Sequence, residues 1–199
     1  MYGEANFRLG GAVRYRPTHP PIQSVCRQAR SRTPLLQSIS PMISLTNLSI
    51  AVTNDIRVSA LATVPEGSSA CVVFAHGAGA GMNHRIIAGM CNGLAARGIA
   101  TLRYQFPYME RGSRRPDPPT LCHQTVQRAV AAAHEFLPAL QLIAGGKSFG
   151  GRMTSQAQAL SRLSHVRGLC FFGFPLHPPQ QPSMALMLDE VARWIATIV

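Results

Sequence analysis

The stretch LIAGGKSFGGRM, residues 142–153, carries the ends of two different motifs, and the choice between them decides the fold. Its GGKS letters end like the phosphate-binding loop G-x-x-x-x-G-K-[ST], whereas its GKSFG letters form the sequence G-x-S-x-G. A phosphate-binding loop would place its first glycine at position 141, directly after a strand. That position is Gln141, and the apolar letters after it predict a strand where the loop would have to surround a phosphate. The sequence therefore argues against a nucleotide-binding loop.

The G-x-S-x-G letters fit a nucleophile elbow, a sharp turn that carries a serine between a β-strand and an α-helix. Gly146 and Gly150 flank Ser148 at the positions where strand and helix come too close for side chains. Such a turn would expose the Ser148 hydroxyl at the carboxyl edge of a sheet. It would also place the amide of Phe149 at the helix N-terminus, where an oxyanion is favoured. The alternative is an ordinary glycine-rich turn in which Ser148 only caps the helix.

A second glycine-rich loop, FAHGAGAG, follows an earlier apolar run. The run, residues 71–75, predicts a strand buried on both faces, and His76 and Gly77 follow it directly. In folds with such an elbow, the second half of the oxyanion hole comes from a loop of this kind. We therefore predict that the amide of Ala78 is the second oxyanion donor. His76 is predicted to shape the loop by hydrogen bonding, and a role as general base is the less favoured alternative.

The rest of the chain predicts an α/β domain over residues 42–199. Two alternating segments separated by TND predict an N-terminal antiparallel hairpin. Apolar strand segments then alternate with segments of helical period, which is typical of a mostly parallel sheet with helices on both faces. The prediction is thus a three-layer sandwich. The segment QFPYMERGSRRPDPP is predicted to be a loop, and MALMLDEVARWIATIV is predicted to be the last helix.

Residues 1–41 differ from the rest in composition. They contain six arginines and a single acid, Glu4, and so hold much of the formal charge of +11. They lack a sustained period and an apolar signal segment, so we expect a basic, disordered lead that superficially resembles a transit peptide. The alternative is that Met42 is the natural start and the lead is an extended reading frame.

Composition also limits the classes of partner. No apolar run approaches the ~18 residues of a membrane span. The basic residues are not interleaved with aromatics and form no recognition helix, so nucleic-acid binding is not favoured. The five cysteines form neither C-x-x-C nor zinc spacing with histidine, which favours reduced thiols in a cytoplasmic protein. We expect a small-molecule substrate and no metal or organic cofactor.

Four segments together resemble the small α/β-hydrolases of the dienelactone-hydrolase-like, testis-expressed-protein type: VVFAHGAGAGMNH, RYQFPYMERGSRRPD, GGKSFGGRM and GFPLHPP. The resemblance covers about residues 42–179. It implies that Ser148 is the nucleophile and that His76–Gly81 is the oxyanion loop. Two positions depart from the family: Asn83, where an acid is expected, and Gln105, where Asn is expected. Substrates are largely unassigned across this family, so the resemblance implies a reaction class only.

A catalytic triad in this fold runs serine, acid and histidine along the chain. Beyond Ser148 the acids are Asp189 and Glu190, inside the predicted last helix, and the histidines His165 and His177 both precede them. The required order is therefore absent. We expect an internal deletion of roughly two βα units of ~30 residues each, which shortens the domain at its C-terminal side. The parallel edge that this loss leaves open would invite self-association.

The predicted join lies near residues 181–184. His177 is a candidate base because it follows a predicted strand, His84 and Arg103 are candidates for the pocket wall, and Lys147 adjoins the serine. The sequence thus predicts serine-dependent hydrolysis of an ester-like or otherwise activated carbonyl. The rival prediction is a catalytically impaired or inactive protein of the same fold that acts by binding, if at all.

Overall fold

Six β-strands and five α-helices make up the described part of the chain, residues 42–173 and 184–199 of a computed structural model. The predictions for residues 1–41 and for His177 lie outside the described residues, as does most of the predicted join. In chain order the elements are β1 (Ile43–Ala51), β2 (Arg57–Pro65), β3 (Ala70–Ala75), α1 (Arg85–Ala95), β4 (Ala100–Tyr104), α2 (Pro107–Glu110), α3 (Pro119–Phe136), β5 (Gln141–Lys147), α4 (Phe149–Leu160), β6 (Val166–Phe172) and α5 (Met184–Ile198).

The six strands form one mixed sheet in the order β1-β2-β4-β3-β5-β6. Strands β1 and β2 form the predicted antiparallel hairpin, and β2 also runs antiparallel to β4. Strand β3 pairs in parallel with β4 and β5, and β5 pairs in parallel with β6. The predicted α/β class with an N-terminal hairpin is therefore confirmed. Because the parallel strands end at one edge of the sheet, the loops after β3, β4 and β5 gather there.

Helices cover both faces of the parallel part of the sheet, as predicted. On one face Val72 and Phe74 of β3 share a hydrophobic cluster with α1 and α5, including Leu94. On the other face Val73 of β3 shares a cluster with α3 and α4, including Val126. All six residues of β3 are buried, as a strand covered on both sides requires. Burial of each Val or Phe side chain there is worth roughly 1.5–3 kcal/mol relative to exposure.

Helix α5 packs beside α1 on the same face of the sheet. The Leu188 side chain of α5 occupies the space that a Cβ on Gly93 of α1 would need, so this glycine lets the helices approach. Arg97 Nε donates to Asp189 Oδ1 at 2.6 Å, a partly exposed ion pair of the kind that contributes little to stability. Glu190 is exposed. Both acids of the last helix are thus surface residues.

The loop predicted between β4 and α3 contains a short helix, α2, that begins at Pro107. Proline suits the first helical position, because its φ is already helical and its missing N–H has no partner there anyway. Phe106 and Tyr108 are fully buried and hold this turn against the core. The Ser59 N–H and hydroxyl donate to the Glu110 carboxylate at 3.0 and 2.7 Å. The prediction of a plain loop is wrong here, because Pro107 suits the start of a helix and the buried aromatic rings hold this turn against the core.

Within the described residues, no helix combines the length and apolar character that crossing a bilayer requires. The four cysteines of this part of the chain are buried free thiols. Burial raises the pKa of the Cys170 thiol to about 11 and that of Cys71 to about 12. Such thiols stay protonated and pack as small apolar groups.

Strand β6 lies at one edge of the sheet, next to β5. We propose that this edge joins a second copy of the chain, because edge strands are common sites of association between chains. Sedimentation velocity across a wide concentration range should then show a reversible monomer–dimer shift. The single tryptophan, Trp194, lies against Gly168 of β6 and should change its fluorescence over the same range. A monodisperse monomer at every concentration would contradict this proposal.

Candidate functional site

Ser148 stands between β5 and α4, at the carboxyl edge of the parallel strands. Its backbone has φ 50° and ψ −110°, a conformation that costs a non-glycine residue roughly 1–3 kcal/mol. The turn is held from both sides, because Ser148 N–H donates to Phe172 O at 3.0 Å and Ser148 O accepts from Arg152 N–H at 3.0 Å. The residue is exposed, and its hydroxyl makes no capping hydrogen bond to α4. The hydroxyl is therefore presented at the tip of a sharp strand–turn–helix.

Two glycines let this turn lie directly against the end of β3. A Cβ on Gly146 would collide with the carbonyl oxygen of Ala75. A Cβ on Gly150 would lie 2.5 Å from the carbonyl oxygens of Ala75 and His76. These neighbours are backbone atoms of a buried strand and cannot turn aside. Only glycine therefore fits at either position.

A cavity of about 590 Å³ opens at this edge of the sheet. Ser148, Phe149 and Ala78 all line it, so the structure brings together residues from both glycine-rich motifs of the sequence. Phe149 is the first residue of α4, where backbone N–H groups lack an intrahelical acceptor and favour negative charge. Ala78 is exposed in the turn after β3. The cavity thus combines an exposed hydroxyl with the backbone of both loops.

His76 is fully buried beneath the glycine-rich loop that follows β3. Its Nδ1 lies 2.8 Å from Gly77 O, and its Nε2 accepts from Phe106 N–H at 3.1 Å. Because the Phe106 N–H can only donate, the proton of the neutral ring belongs on Nδ1. Burial lowers the pKa of His76, and the bond to Gly77 opposes that shift. Both ring nitrogens are occupied, so the ring ties the loop after β3 to the chain after β4.

The residue after β4 braces the same loop at a second point. Gln105 Oε1 accepts from Met82 N–H at 2.8 Å, and a Cβ on Gly81 would lie 3.3 Å from that oxygen. The long glutamine side chain, where the resemblance leads us to expect Asn, thus fills the space beside Gly81. Asn83, the other departure, is exposed. The departure at Gln105 therefore has a structural role, whereas nothing in the structure explains the one at Asn83.

An aromatic cluster joins the two loops. The Phe106 ring packs edge-on against His76 and Phe149, with centroid separations of 5.0 and 5.5 Å. The Tyr108 ring contacts the same two rings at 6.0 and 6.2 Å. Aromatic pairs of this geometry contribute about 0.5–1.5 kcal/mol each beyond their buried area. Phe106 and Tyr108 were not predicted as site residues, although the letters FPY in a proline-rich segment are a signal for a buried turn.

Two charged residues that the sequence analysis missed also line the cavity, Asp117 and Arg152. Asp117 Oδ1 accepts from Arg111 Nη2 at 2.5 Å, whereas Asp117 Oδ2 is buried and has no hydrogen-bond partner in the described part of the chain. The guanidinium carbon of Arg152 lies 5.7 Å from the centroid of the Phe149 ring. The signal for Asp117 is its place between two prolines in a loop at the carboxyl edge of the parallel strands. The signal for Arg152 is its position one helical turn after Ser148.

No histidine of the described residues lines the cavity with Ser148. His84 caps the N-terminus of α1, and the stacked rings of His134 and His165 line a separate cavity. The predictions that His84 and Arg103 form the pocket wall are wrong. Arg103 is buried on the face of β4 opposite Tyr104, beside the α1 cysteine, because alternate strand residues point to opposite faces.

Another cavity, of about 610 Å³, lies at the amino ends of β3 and β5, on the far edge of the sheet. Among its described wall residues there is no histidine, cysteine, lysine or arginine. Over residues 42–173 and 184–199, no three His, Cys, Asp or Glu side chains meet as a metal site would require.

The family model described as Alpha/beta hydrolase domain matches residues 68–195, so the chain belongs to the alpha/beta hydrolase domain family. Among solved structures, the chain is similar to dienelactone hydrolase from Anabaena variabilis. That likeness has a TM-score of 0.59 and 14% identity, over 79% of this chain and 99% of the other. An alpha-beta serine hydrolase homologue from Coxiella burnetii gives a TM-score of 0.54 and 15% identity, over 77% and 82%.

Brefeldin A esterase, a bacterial homologue of human hormone-sensitive lipase, is also similar. Its TM-score is 0.52 at 19% identity, over 73% of this chain and 42% of that chain. At these identities the likenesses show the fold alone. No curated protein matches the sequence.

Protonation of His76 should destabilise the fold, because burial holds its pKa below the ordinary value of 6.5. As the pH falls below about 6.5, the unfolded chain binds a proton that the folded chain resists. The stability that His76 contributes is therefore complete above that pH. Below it, stability is lost by up to ~1.4 kcal/mol per pH unit until the folded-state pKa is reached.

Urea unfolding of the wild type at about pH 7.5 and about pH 5.5 measures this loss. His76→Gln keeps a donor and an acceptor in the loop and cannot titrate, so its unfolding free energy should change less between the two conditions. His123→Gln, which alters a half-buried histidine of α3, should keep the wild-type pH dependence. Identical pH dependence in the wild type and His76→Gln would show that the buried ring is not responsible.

Proposed function

We propose that the chain is a serine hydrolase that acts on an ester-like or otherwise activated carbonyl, with Ser148 as its nucleophile. The observation that carries the proposal is the strained, exposed backbone of Ser148, whose hydroxyl is not used to cap α4. Membership of the alpha/beta hydrolase domain family supports the same reaction class. A dienelactone hydrolase and an esterase have a similar fold, and we propose ester hydrolysis for this chain as well.

In the proposed reaction, Ser148 Oγ attacks the substrate carbonyl carbon and loses its proton as the new C–O bond forms. The carbonyl oxygen becomes an oxyanion, to which the backbone N–H groups of Phe149 and Ala78 donate. Collapse of this intermediate breaks the bond to the leaving alcohol, which takes up the proton, and leaves an acyl-serine. Water then cleaves the acyl-serine to release the acid. A single oxyanion donor of this kind lowers the barrier by about 2.7–4 kcal/mol.

A base must take the proton from Ser148, and we propose His177 for this role. His177 lies outside the described residues, four positions after Gly173, which lines the Ser148 cavity. A connection of four residues spans at most about 14 Å, a length compatible with the proposed role. Lys147, half-buried at the end of β5, is the neighbouring alternative.

The four sequence segments that resemble one type of small α/β-hydrolase support a more specific proposal about the family. The chain is of the dienelactone-hydrolase-like, testis-expressed-protein type and lacks roughly two βα units, of ~30 residues each, between β6 and α5. The serine–acid–histidine order missing after Ser148 supports the loss. Resequencing the gene in its source tests this part: additional coding sequence at the join would mean that the loss is a sequencing error.

A second function, ligand binding without turnover, rests on a specific observation. None of the described histidines lines the cavity with Ser148, and both acids of α5 are on the surface. A serine without a base is a weak nucleophile. In this alternative the cavity binds a carbonyl compound and releases it unchanged.

A fluorophosphonate probe should label the wild-type chain and leave Ser148→Ala unlabelled, because the reagent phosphonylates an activated serine hydroxyl. Ser161→Ala, which removes an exposed hydroxyl at the end of α4, is the matched control and should label like the wild type. Mass spectrometry of the intact chain gives the fraction labelled. Equal labelling of wild type and Ser148→Ala would remove Ser148 as nucleophile. A folded wild type without label would favour the binding function.

The role of His177 can be read from the rate of the same reaction. If His177 is the general base, His177→Ala should slow labelling by roughly 10²–10⁴-fold. His165→Ala, at an exposed histidine in the separate cavity, should leave the rate unchanged. A wild-type rate in His177→Ala would reject this histidine and leave Lys147→Met as the next variant to measure.

A further inference from the structure

The carboxylate of Asp117 belongs to the wall of the Ser148 cavity, and the described part of the fold uses only one of its oxygens. Its side chain is 9% exposed and lines the cavity. One oxygen, Oδ1, accepts from Arg111 Nη2, whereas Oδ2 is buried and has no hydrogen-bond partner among the described residues. Buried carboxylate oxygens are normally paired, so an unpaired one on a side chain that lines a cavity indicates a missing donor.

The carboxylate is held in place before any ligand arrives. Pro116 and Pro118 flank Asp117 and fix the backbone φ on both sides. Arg111 binds Oδ1 from the end of α2, and Cys122 Sγ donates to the Asp117 carbonyl oxygen at 3.5 Å. A rigid acceptor of this kind loses little conformational entropy on binding, which favours its use for recognition.

The charges around the cavity favour a neutral donor over a cation. Arg111 offsets the charge of Asp117, and Arg152 adds a positive charge to the wall without an ion pair to any described carboxylate. An ammonium group would meet this net positive charge, whereas a hydroxyl donates a proton to Oδ2 and brings no charge with it.

We propose that Asp117 is a specificity-determining residue of this cavity, whose Oδ2 accepts a hydrogen bond from a hydroxyl group of the substrate. This inference rests on the proposed function, because the hydroxyl group belongs to the same ester molecule that Ser148 attacks. The substrate class is thus hydroxyl-bearing esters. A hydrogen bond to a charged acceptor should favour the hydroxy ester over its methyl isostere by about tenfold or more.

Binding can be measured without turnover in Ser148→Ala, by titration followed by NMR. Two matched ester pairs differ only in hydroxyl against methyl: ethyl lactate with ethyl isobutyrate, and ethyl β-hydroxybutyrate with ethyl isovalerate. In at least one pair the hydroxy ester should bind about tenfold more tightly. Ethyl β-aminobutyrate, which is an ammonium at neutral pH, should bind no more tightly than ethyl isovalerate.

Three variants in the same background locate this preference. Asp117→Ala removes the acceptor without placing another polar group beside the ligand, and should abolish the preference for the hydroxy ester. Arg111→Gln leaves the carboxylate charge unbalanced and should strengthen binding of ethyl β-aminobutyrate. Glu190→Gln, at an exposed site on α5, should leave every affinity unchanged. If Asp117→Ala does not fold, Asp117→Glu moves the acceptor by one methylene and should also lose the preference.

Absence of the preference in Ser148→Ala, or its persistence in a folded Asp117 variant, would overturn the inference. The carboxylate would then only anchor Arg111 or hold a water molecule. Because these affinities require no reaction, their outcome is separate from that of the proposed function. A wild type that hydrolyses esters without preferring the hydroxyl refutes the inference alone, and one that prefers the hydroxyl without hydrolysis refutes catalysis alone.

Discussion

The close approach of α4 to the end of β3 is the constraint on which the rest of the site depends. Gly146 pairs with Ala75 across the adjacent parallel strands, and Gly150, in the first turn of α4, lies against the same carbonyl group. A side chain at either glycine would push strand and helix apart. Since the two glycine-rich loops follow β3 and β5, this contact alone brings Ser148 and Ala78 to the same cavity.

The segment after β4 holds the two glycine-rich loops in a fixed position. Both ring nitrogens of His76 bond to backbone groups, Nδ1 to Gly77 in its own loop and Nε2 to Phe106 after β4. Phe106 and Tyr108 then pack against Phe149, the residue that follows the strained serine. The turn at Ser148 is thus supported by the segments that follow β3 and β4 and by the end of β6. A conformation as costly as this persists only where its surroundings over-determine it.

The sequence predicted what depends on local pattern. Alternation and helical period located the hairpin, the parallel strands and the last helix, and the spacing of glycines around Ser148 located the turn. The sequence could not predict which face of the sheet an individual side chain points to. Arg103 was predicted in the pocket wall, but it points to the face of the sheet that packs against α1. Its neighbour Tyr104 points to the opposite face. Asp117 reaches the cavity because α2 turns the chain, and α2 exists because distant core residues bury its aromatic rings.

The proposed reaction divides into two tasks. Stabilisation of the oxyanion and presentation of the serine would depend on residues 70–152 and on the backbone contact with Phe172 of β6. Activation of the serine would depend on a base elsewhere in the chain. When a triad is removed from such a site, an effect on the order of 10³ over water can remain from the oxyanion hole and binding. The strain at Ser148 lowers stability without a structural benefit among the described residues, and this cost supports the proposed function at this edge of the sheet.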